Sequence, residues 1–206
     1  MSLLDDRQPG GTVPMEDRRP GGQVRICLVG ETGSGKSTTA ATLRALLTAA
    51  GRPSALIPLA GLLQQLQDLV YAEIAASKAA DQQDQQLMVD LARNIRRIRP
   101  TALVERFERS LLALPADTVA INADLRDHAV DAVRLRELGF HFIRIRCDRT
   151  VRLARLRLRD DLSVVDDEQV FQLDRIDCDA EFDNSRDGLA HVQEFCRDLL
   201  ASSACC

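Results

Sequence analysis

Residues 24–37 read VRICLVGETGSGKS, an apolar run that leads directly into a glycine-rich loop. The first six residues are typical of a buried parallel strand, because short apolar runs bounded by a turn mark strands that are covered on both faces. The last eight residues, Gly30 to Ser37, fill every fixed position of the G-x-x-x-x-G-K-S/T phosphate-binding motif, or Walker A. The stretch therefore predicts a strand, a P-loop and a following helix.

The P-loop predicts how a nucleotide would be held. Its glycines let successive backbone N–H groups turn inward on a phosphate, beside the positive end of the next helix. Lys36 would reach the β- and γ-phosphates and is a candidate catalytic residue, Ser37 would ligate Mg²⁺, and Thr38 would contact the α-phosphate. The predicted nucleotide-binding residues are Gly30, Thr32, Gly33, Ser34, Gly35, Lys36, Ser37 and Thr38.

The remaining pattern predicts an α/β fold, with a P-loop NTPase-type, mostly parallel sheet and helices on both faces. Residues 61–114 read as a helical insertion, broken near residues 82–86 and at Pro100. Gly51 and Gly139 are placed to end helices, and Ser185 to cap the last one. The predicted strands are 24–29, 54–59, 118–122 and 140–146, and the predicted helices outside the insertion are 38–50, 127–138, 149–159 and 185–200.

The insertion contains an amphipathic helix with a basic face. Its apolar positions, at helical spacing, are Leu87, Leu91, Ile95 and Ile98. Arg93, Arg96 and Arg97 then share the opposite face, and we expect Arg93 and Arg97 to bind a phosphate of the acceptor. The alternative is a solvated basic face, which is common on exposed helices.

A second arginine-rich helix is predicted later in the chain. Arg152, Arg155 and Arg159 lie on one face of it, opposite Val151, Ala154 and Leu158. Like charges at this spacing cost stability unless an anion compensates, and a triphosphate undergoing transfer is such an anion. The three arginines are therefore predicted to be catalytic; the alternative is a solvated face relieved by neighbouring aspartates.

Asp124 follows a buried strand and would lie at the carboxyl edge of the sheet, where ligands of open α/β sheets bind. We expect it to hold the Mg²⁺ shell or to orient the acceptor hydroxyl, and Arg126 to bind an acceptor phosphate. The alternative is a helix-capping role for Asp124, for which Asp127 is better placed.

Composition excludes several classes of function. A formal net charge of −4 argues against a broad nucleic-acid surface, which needs clustered Lys and Arg, and 3% aromatic residues leave no base-stacking platform. Residues 1–22 are rich in Gly, Pro, Asp and Arg and predict a tail that cannot order itself. With neither a signal peptide nor a membrane segment, and with six cysteines in no metal or disulfide pattern, the protein is expected to be cytoplasmic.

Together these pieces resemble the P-loop small-molecule kinases, most closely the deoxynucleoside-monophosphate-kinase and dephospho-coenzyme-A-kinase branch. The resemblance runs from about Val24 to Leu200. Besides the P-loop and the arginine-rich helix, its motifs are Asp124-Leu125-Arg126, the stretch ELGFHFIRIR from Glu137, and Asp183-Asn184-Ser185.

The resemblance implies a kinase domain over residues 23–206, with an acceptor-binding insertion near 60–115 and a lid near 150–175. It also implies that Asn184 and its neighbours form the loop beside the adenine. The A-x-P-L-K segment of the family appears here as Ala60-Gly61-Leu62-Leu63-Gln64, without the Pro and the Lys.

The leading functional prediction is a transferase that uses ATP and Mg²⁺ to phosphorylate a nucleoside monophosphate or a similar phosphorylated metabolite. A kinase with a plain hydroxyl acceptor, such as dephospho-coenzyme A or a sugar acid, is the enzymatic alternative. The alternative from another class is a regulatory switch that binds a nucleoside triphosphate. Neither a nucleic acid nor a membrane is expected as a partner, and the sequence leaves the oligomeric state open.

Overall fold

The computed structural model describes residues 23–79, 82–158, 163 and 172–203, and a five-stranded parallel sheet lies at its centre. The strands lie in the order β2-β3-β1-β4-β5, and each neighbouring pair is parallel. This arrangement confirms the predicted α/β class. The strands are β1 (Arg25–Val29), β2 (Ser54–Leu56), β3 (Val119–Asn122), β4 (His141–Arg146) and β5 (Ala180–Asp183).

Helices cover both faces of the sheet. They are α1 (Lys36–Ala49), α2 (Gly61–Glu73), α3 (Gln85–Ile98), α4 (Ala102–Leu112), α5 (Asp131–Glu137), α6 (Arg149–Arg157) and α7 (Ala190–Ser203), with a short 3₁₀ helix at Leu173–Arg175. The fully buried residues of β1 alternate between two cores, as the period of a strand requires. Cys27 faces the core built with α4 and α5, and Ile26 faces the core built with α1 and α7.

The helical insertion consists of α2, α3 and α4. Its second break is at Pro100 as predicted, whereas the first begins earlier than predicted, since α2 ends at Glu73 and α3 already includes Gln85 and Gln86. A small core of its own joins the three helices through Leu63, Ala92 and Leu103. Ile98, expected on the apolar face, is 75% exposed because it is the last residue of α3, where the chain turns toward α4. The insertion is thus attached to the sheet between β2 and β3.

Three local predictions need correction. β5 was missed because its residues alternate between half-buried and exposed on an edge strand, so it has no apolar run. Ser185 does not cap the last helix, which begins at Ala190; its hydroxyl bonds Asp183 and accepts the Asp148 amide. The helix predicted from residue 127 begins at residue 131, because the Asp127 carboxylate first accepts the amides of residues 130 and 131.

Some predictions fall outside the described residues. These are the tail at residues 1–22, Arg159, and most of the second half of the lid segment. Among the described residues, no helix is both long enough and apolar enough to cross a membrane.

Candidate nucleotide and acceptor site

The glycine-rich loop connects β1 to α1, and two of its glycines cannot be replaced without strain. Gly33 and Gly35 have φ values of 86° and 102°, in the left-handed region that residues with a Cβ rarely adopt. A Cβ on Gly35 would lie 2.0 Å from Nδ2 of Asn184, and one on Gly33 would lie 2.9 Å from Cγ of Arg152. The loop is therefore enclosed by neighbours that leave no room for side chains.

Lys36 lies over this loop at the start of α1. Its Nζ donates to the carbonyl oxygens of Gly30 at 2.6 Å and Glu31 at 2.7 Å, so the ammonium is held at the mouth of the loop. The buried Ser34 hydroxyl has no hydrogen-bond partner among the described residues, whereas the Ser37 side chain is exposed at the head of the helix. An unsatisfied buried hydroxyl, an ammonium and a helix N-terminus are a donor set that fits a polyphosphate.

Helix α6 packs its arginines against the loop. Arg152 is 2% exposed, and its Nε lies 3.0 Å from Oε2 of Glu31. Arg155 donates to the carbonyl oxygens of Asn184 and Arg186, both at 3.0 Å. The arginine face is thus the packed face of α6, whereas Leu158, expected on the packed side, is 89% exposed. The catalytic role of these arginines stays a prediction.

Asn184 joins the end of β5 to the loop. Its buried Nδ2 donates to the carbonyl oxygen of Ser34 at 2.8 Å, and its Oδ1 lies 2.8 Å from Nε2 of His191. These bonds fix the segment after β5 directly behind the phosphate-binding loop. The predicted neighbourhood of Asn184 and the adenine stays a prediction.

Asp124 lies at the carboxyl edge of the sheet and receives several hydrogen bonds. The amides of Leu59 and Ala60 donate to its two oxygens at 3.0 and 2.9 Å, and Nδ2 of Asn122 donates at 2.6 Å. Asn122 is fully buried and also donates to the carbonyl oxygen of Ile57. Asp124 therefore ties the start of α2 to the end of β3, a role that its sequence neighbours do not reveal.

Arg126 lies against the P-loop rather than deep in the insertion. Its guanidinium donates to Oγ1 of Thr32 at 2.9 Å and to the carbonyl oxygen of Gly30 at 3.4 Å. The predicted acceptor-binding residue is thus near the position of the transferring phosphate. Whether it touches the acceptor stays a prediction.

A cavity of about 730 Å³ connects the P-loop to the helical insertion. Lys36 and Ser37 line one end, and Asp124 and Arg126 line the middle. The far wall combines apolar side chains with amides, one arginine and one carboxylate; its residues include Leu63, Gln64, Gln83, Met88, Val89, Ala92, Arg96, Leu103 and Asp131. A mostly apolar cleft with a few convergent polar groups is typical of a small-molecule site.

Helix α3 presents a different arginine to this cavity from those predicted. Arg96 lines it, whereas Arg93 and Arg97 are exposed and lie outside its lining, with Arg93 paired to Asp90 at 2.9 Å. Met88, Ala92 and Arg96 recur every four residues and form the face beside the apolar stripe. Spacing alone does not say which neighbouring face borders a cavity.

Mg²⁺ would be held here with few protein ligands. The described residues contain no group of three or more His, Cys, Asp or Glu side chains that could hold a metal. Mg²⁺ in nucleotide sites is bound by one or two protein oxygens together with substrate phosphates. Ser37 and Asp124, both on the cavity wall, fit that arrangement.

Comparison with solved structures finds similar chains of low identity. Shikimate kinase from Acinetobacter baumannii, in complex with shikimate, is 15% identical, covering 89% of this chain and 94% of that chain with a TM-score of 0.48. APS kinase from Mycobacterium tuberculosis, in complex with AMPPNP and APS, is 14% identical, covering 89% and 98%, with a TM-score of 0.48. A gluconokinase from Sinorhizobium meliloti 1021 is 18% identical, covering 88% and 91%, with a TM-score of 0.46.

These three proteins are named as kinases of different substrates. At such identities and TM-scores the likeness carries no argument about the substrate of this chain. No protein-family model matches the chain, and no curated protein matches it significantly. Its chemistry must therefore be inferred from the geometry of its own site.

Proposed function

We propose that this protein catalyses the ATP- and Mg²⁺-dependent transfer of a γ-phosphoryl group to a small molecule bound in the cavity. The observation that carries the proposal is the continuity of the cavity from Lys36 and Ser37 to the helical insertion. A phosphate on the loop and an acceptor against the insertion would share one continuous cavity. Holding two reactants in this way supplies much of the catalysis in phosphoryl transfer.

Each residue of the loop and the sheet edge has a role in this reaction. The loop amides and Lys36 would hold the β- and γ-phosphates, and Arg126 would stabilise charge on the transferring group. Asp124 would orient the acceptor oxygen as it bonds to the γ-phosphorus and the bond to the leaving ADP breaks. Mg²⁺, when bound, would neutralise charge on the phosphates.

For the acceptor, we propose a nucleoside monophosphate or a similar phosphorylated metabolite. Met88 and Val89 offer an apolar wall for a flat ring, and Gln64 and Gln83 offer amides for its polar edge. Arg96 offers the guanidinium for an anionic group. The cavity thus contains the three kinds of group that a nucleotide requires.

A hydroxyl acceptor with one acidic group, such as a sugar acid, is the second candidate. It is favoured by one observation: Arg126 is bonded to the P-loop, which leaves Arg96 as the arginine on the far wall among the described residues. A wall with one guanidinium suits an acceptor with one anionic group. A regulatory switch is disfavoured, since it has no need of a cavity for an acceptor.

A binding screen followed by an assay tests these proposals. Thermal shift would be measured with AMPPNP and Mg²⁺ against nucleoside monophosphates, dephospho-coenzyme A and sugar acids, since a ligand that binds the native state raises Tm. Each ligand that raises Tm is then tested for acceptor-dependent formation of ADP. Nucleotide binding without turnover of any acceptor would favour the switch.

Lys36→Ala is the matching variant test. We expect loss of phosphoryl transfer by a factor of about a thousand or more with an unchanged fold, because Lys36 supplies charge to the phosphates. Lys78→Ala, at the only other lysine in the chain, is the control, since Lys78 pairs with the exposed Asp68 of the insertion and does not line the cavity. Equal turnover in the two variants would contradict the assignment of the P-loop.

A further inference from the structure

A buried ion pair forms part of the far wall of the cavity. Asp131, the first residue of α5, is 1% exposed, and its Oδ2 accepts a hydrogen bond from Arg96 on α3 at 2.5 Å. Asp127 is a more distant partner, with Oδ2 3.9 Å from Nε of Arg96. The pair joins the helical insertion to the helix that follows β3.

A contribution to the stability of the fold does not by itself explain why this ion pair is buried. Burial raises the pKa of Asp131 despite the opposing charge of Arg96, so the carboxylate is held where its ionised form is costly. Its Oδ1 has no hydrogen-bond partner among the described residues, and neither does Nε of Arg96. Incompletely bonded buried ion pairs are often no more stable than apolar residues of similar volume.

The ion pair uses only part of the donor capacity at the terminal nitrogens of Arg96, whereas Nε is buried. A guanidinium has five N–H donors, and among the described residues one hydrogen bond is made, to Asp131. The Arg96 side chain is 22% exposed, whereas Asp131 is enclosed. Both residues line the cavity, and the carboxylate holds one terminal nitrogen of the guanidinium while the more exposed arginine side chain offers its other donors to the cavity.

We propose that Asp131 is a positioning residue that fixes Arg96 so that its remaining donors bind an oxyanion group of the acceptor, either a phosphate or a carboxylate. This inference rests on the proposed function. A long arginine side chain loses rotamer entropy when it binds a ligand, and a fixed guanidinium avoids that cost. The planar fork also matches the oxygens of phosphate and carboxylate in direction.

Steady-state kinetics with the acceptor from the screen tests the inference. We expect Asp131→Ala to raise the KM for the acceptor about tenfold or more, with kcat and the KM for ATP changed less than threefold. Asp131→Asn keeps the shape and an acceptor oxygen and should raise it less. Glu137→Ala is the control, since Glu137 on the same helix pairs with Arg134 away from the cavity.

A double-mutant cycle shows whether Asp131 acts through Arg96. In an Arg96→Ala background, the Asp131 substitutions should have no further effect on the acceptor KM, because their effects are coupled. An equal rise in both backgrounds would overturn the inference, as would an unchanged or lower KM. If Asp131→Ala does not fold, the test uses Asp131→Asn and Arg96→Lys instead. Arg96→Lys keeps the positive charge but loses the planar set of N–H donors.

A binding measurement separates this inference from the proposed function. With AMPPNP and Mg²⁺ saturating the P-loop, titrations with inorganic phosphate and with acetate probe the far wall and distinguish the two oxyanions. At least fivefold weaker binding in Asp131→Ala would support the inference even if no acceptor were turned over. Equal binding in both proteins, or none in the wild type, would overturn it whatever the kinase assay shows.

Discussion

Asp124 receives hydrogen bonds from two backbone amides and one side-chain amide, and these bonds orient both of its oxygens. It holds the start of α2, and from its position on the cavity wall we propose that it also orients the reactants. A helix cap of α5 is excluded as its role, because Asp127 accepts the amides there.

The substitution Asp124→Asn removes the negative charge of the side chain but keeps its size and shape. We expect kcat to fall about a hundredfold or more, the scale of positioning and acid–base effects, with a smaller change in ATP affinity. Tm should also fall, since an amide NH₂ would face the N–H of Leu59 or Ala60. Asp179→Asn is the matched control, because Asp179 also accepts a backbone amide, from Phe142 at 2.7 Å, but at the opposite edge of the sheet. Full activity in Asp124→Asn would remove this residue from the mechanism.

Helix α6 is the element that encloses the phosphate-binding loop. Arg152 and Leu156 on its buried face approach Gly33, and Arg155 reaches the segment after β5. The helix is therefore part of the folded site as well as a source of positive charge. Substitution of Arg152 or Arg155 should affect both stability and turnover.

Arg152→Ala tests this helix. We expect kcat/KM to fall about a hundredfold, because the Glu31 carboxylate would lose its partner beside the phosphates and a cation would be lost. Tm should fall by several degrees, as expected when one partner of a buried pair is removed. Arg157→Ala, an exposed arginine on the same helix, is the control. If both variants matched the wild type in kinetics, Arg152 would have only a structural role.

At the scale of the whole molecule, the two ends of the strands differ: the carboxyl ends border the candidate site, and the amino ends carry contacts between strands. The carboxyl ends of the strands border the P-loop, Asp124 and Asn184, where ligands of parallel α/β sheets bind. At the amino edge, Asp179 joins the starts of β4 and β5 through the Phe142 amide, Arg136 and His141. That edge holds the sheet together at a distance from the cavity.

Asp179 gives the stability of the fold a dependence on pH. Burial alone would raise the pKa of Asp179, but hydrogen bonds from the Phe142 amide and Arg136 hold it below its ordinary value of 3.8. A carboxyl with a lowered folded-state pKa stabilises fully above about pH 4 and loses that contribution as pH falls through the folded value. Asp179→Asn should therefore lower Tm by a few degrees at pH 7, with unchanged kcat.

Thermal unfolding measured from pH 7 to pH 2 tests the predicted direction of this pH dependence. The gap in Tm between the wild type and Asp179→Asn should be constant down to about pH 4 and then close. A gap that is independent of pH over this range would show that the charge of Asp179 contributes nothing.

Much of the fold was predictable because its signals are local. The strand–loop–helix at residues 24–49 follows from an apolar run, three glycines and a lysine, all within residues 24–37. The break at Pro100 and the start of α3 reflect the chemistry of local residues, since proline ends helices and the Asp84 carboxylate accepts the Leu87 amide. β5 was not predictable in this way, since an edge strand with half-exposed residues has no apolar run.

The sequence by itself determined the phosphate-binding loop, the α/β class and the placement of Asp124 at the carboxyl edge of the sheet, because each depends on neighbours within a few residues. Only the tertiary structure decided that Arg96 rather than Arg93 or Arg97 borders the cavity, that Asp131 pairs with Arg96 there, and that α6 packs Arg152 inward. Those contacts join residues 35 to 121 positions apart along the chain. Helical spacing shows which residues share one face of a helix. Only packing against other elements decides which of those faces is buried and which borders a cavity.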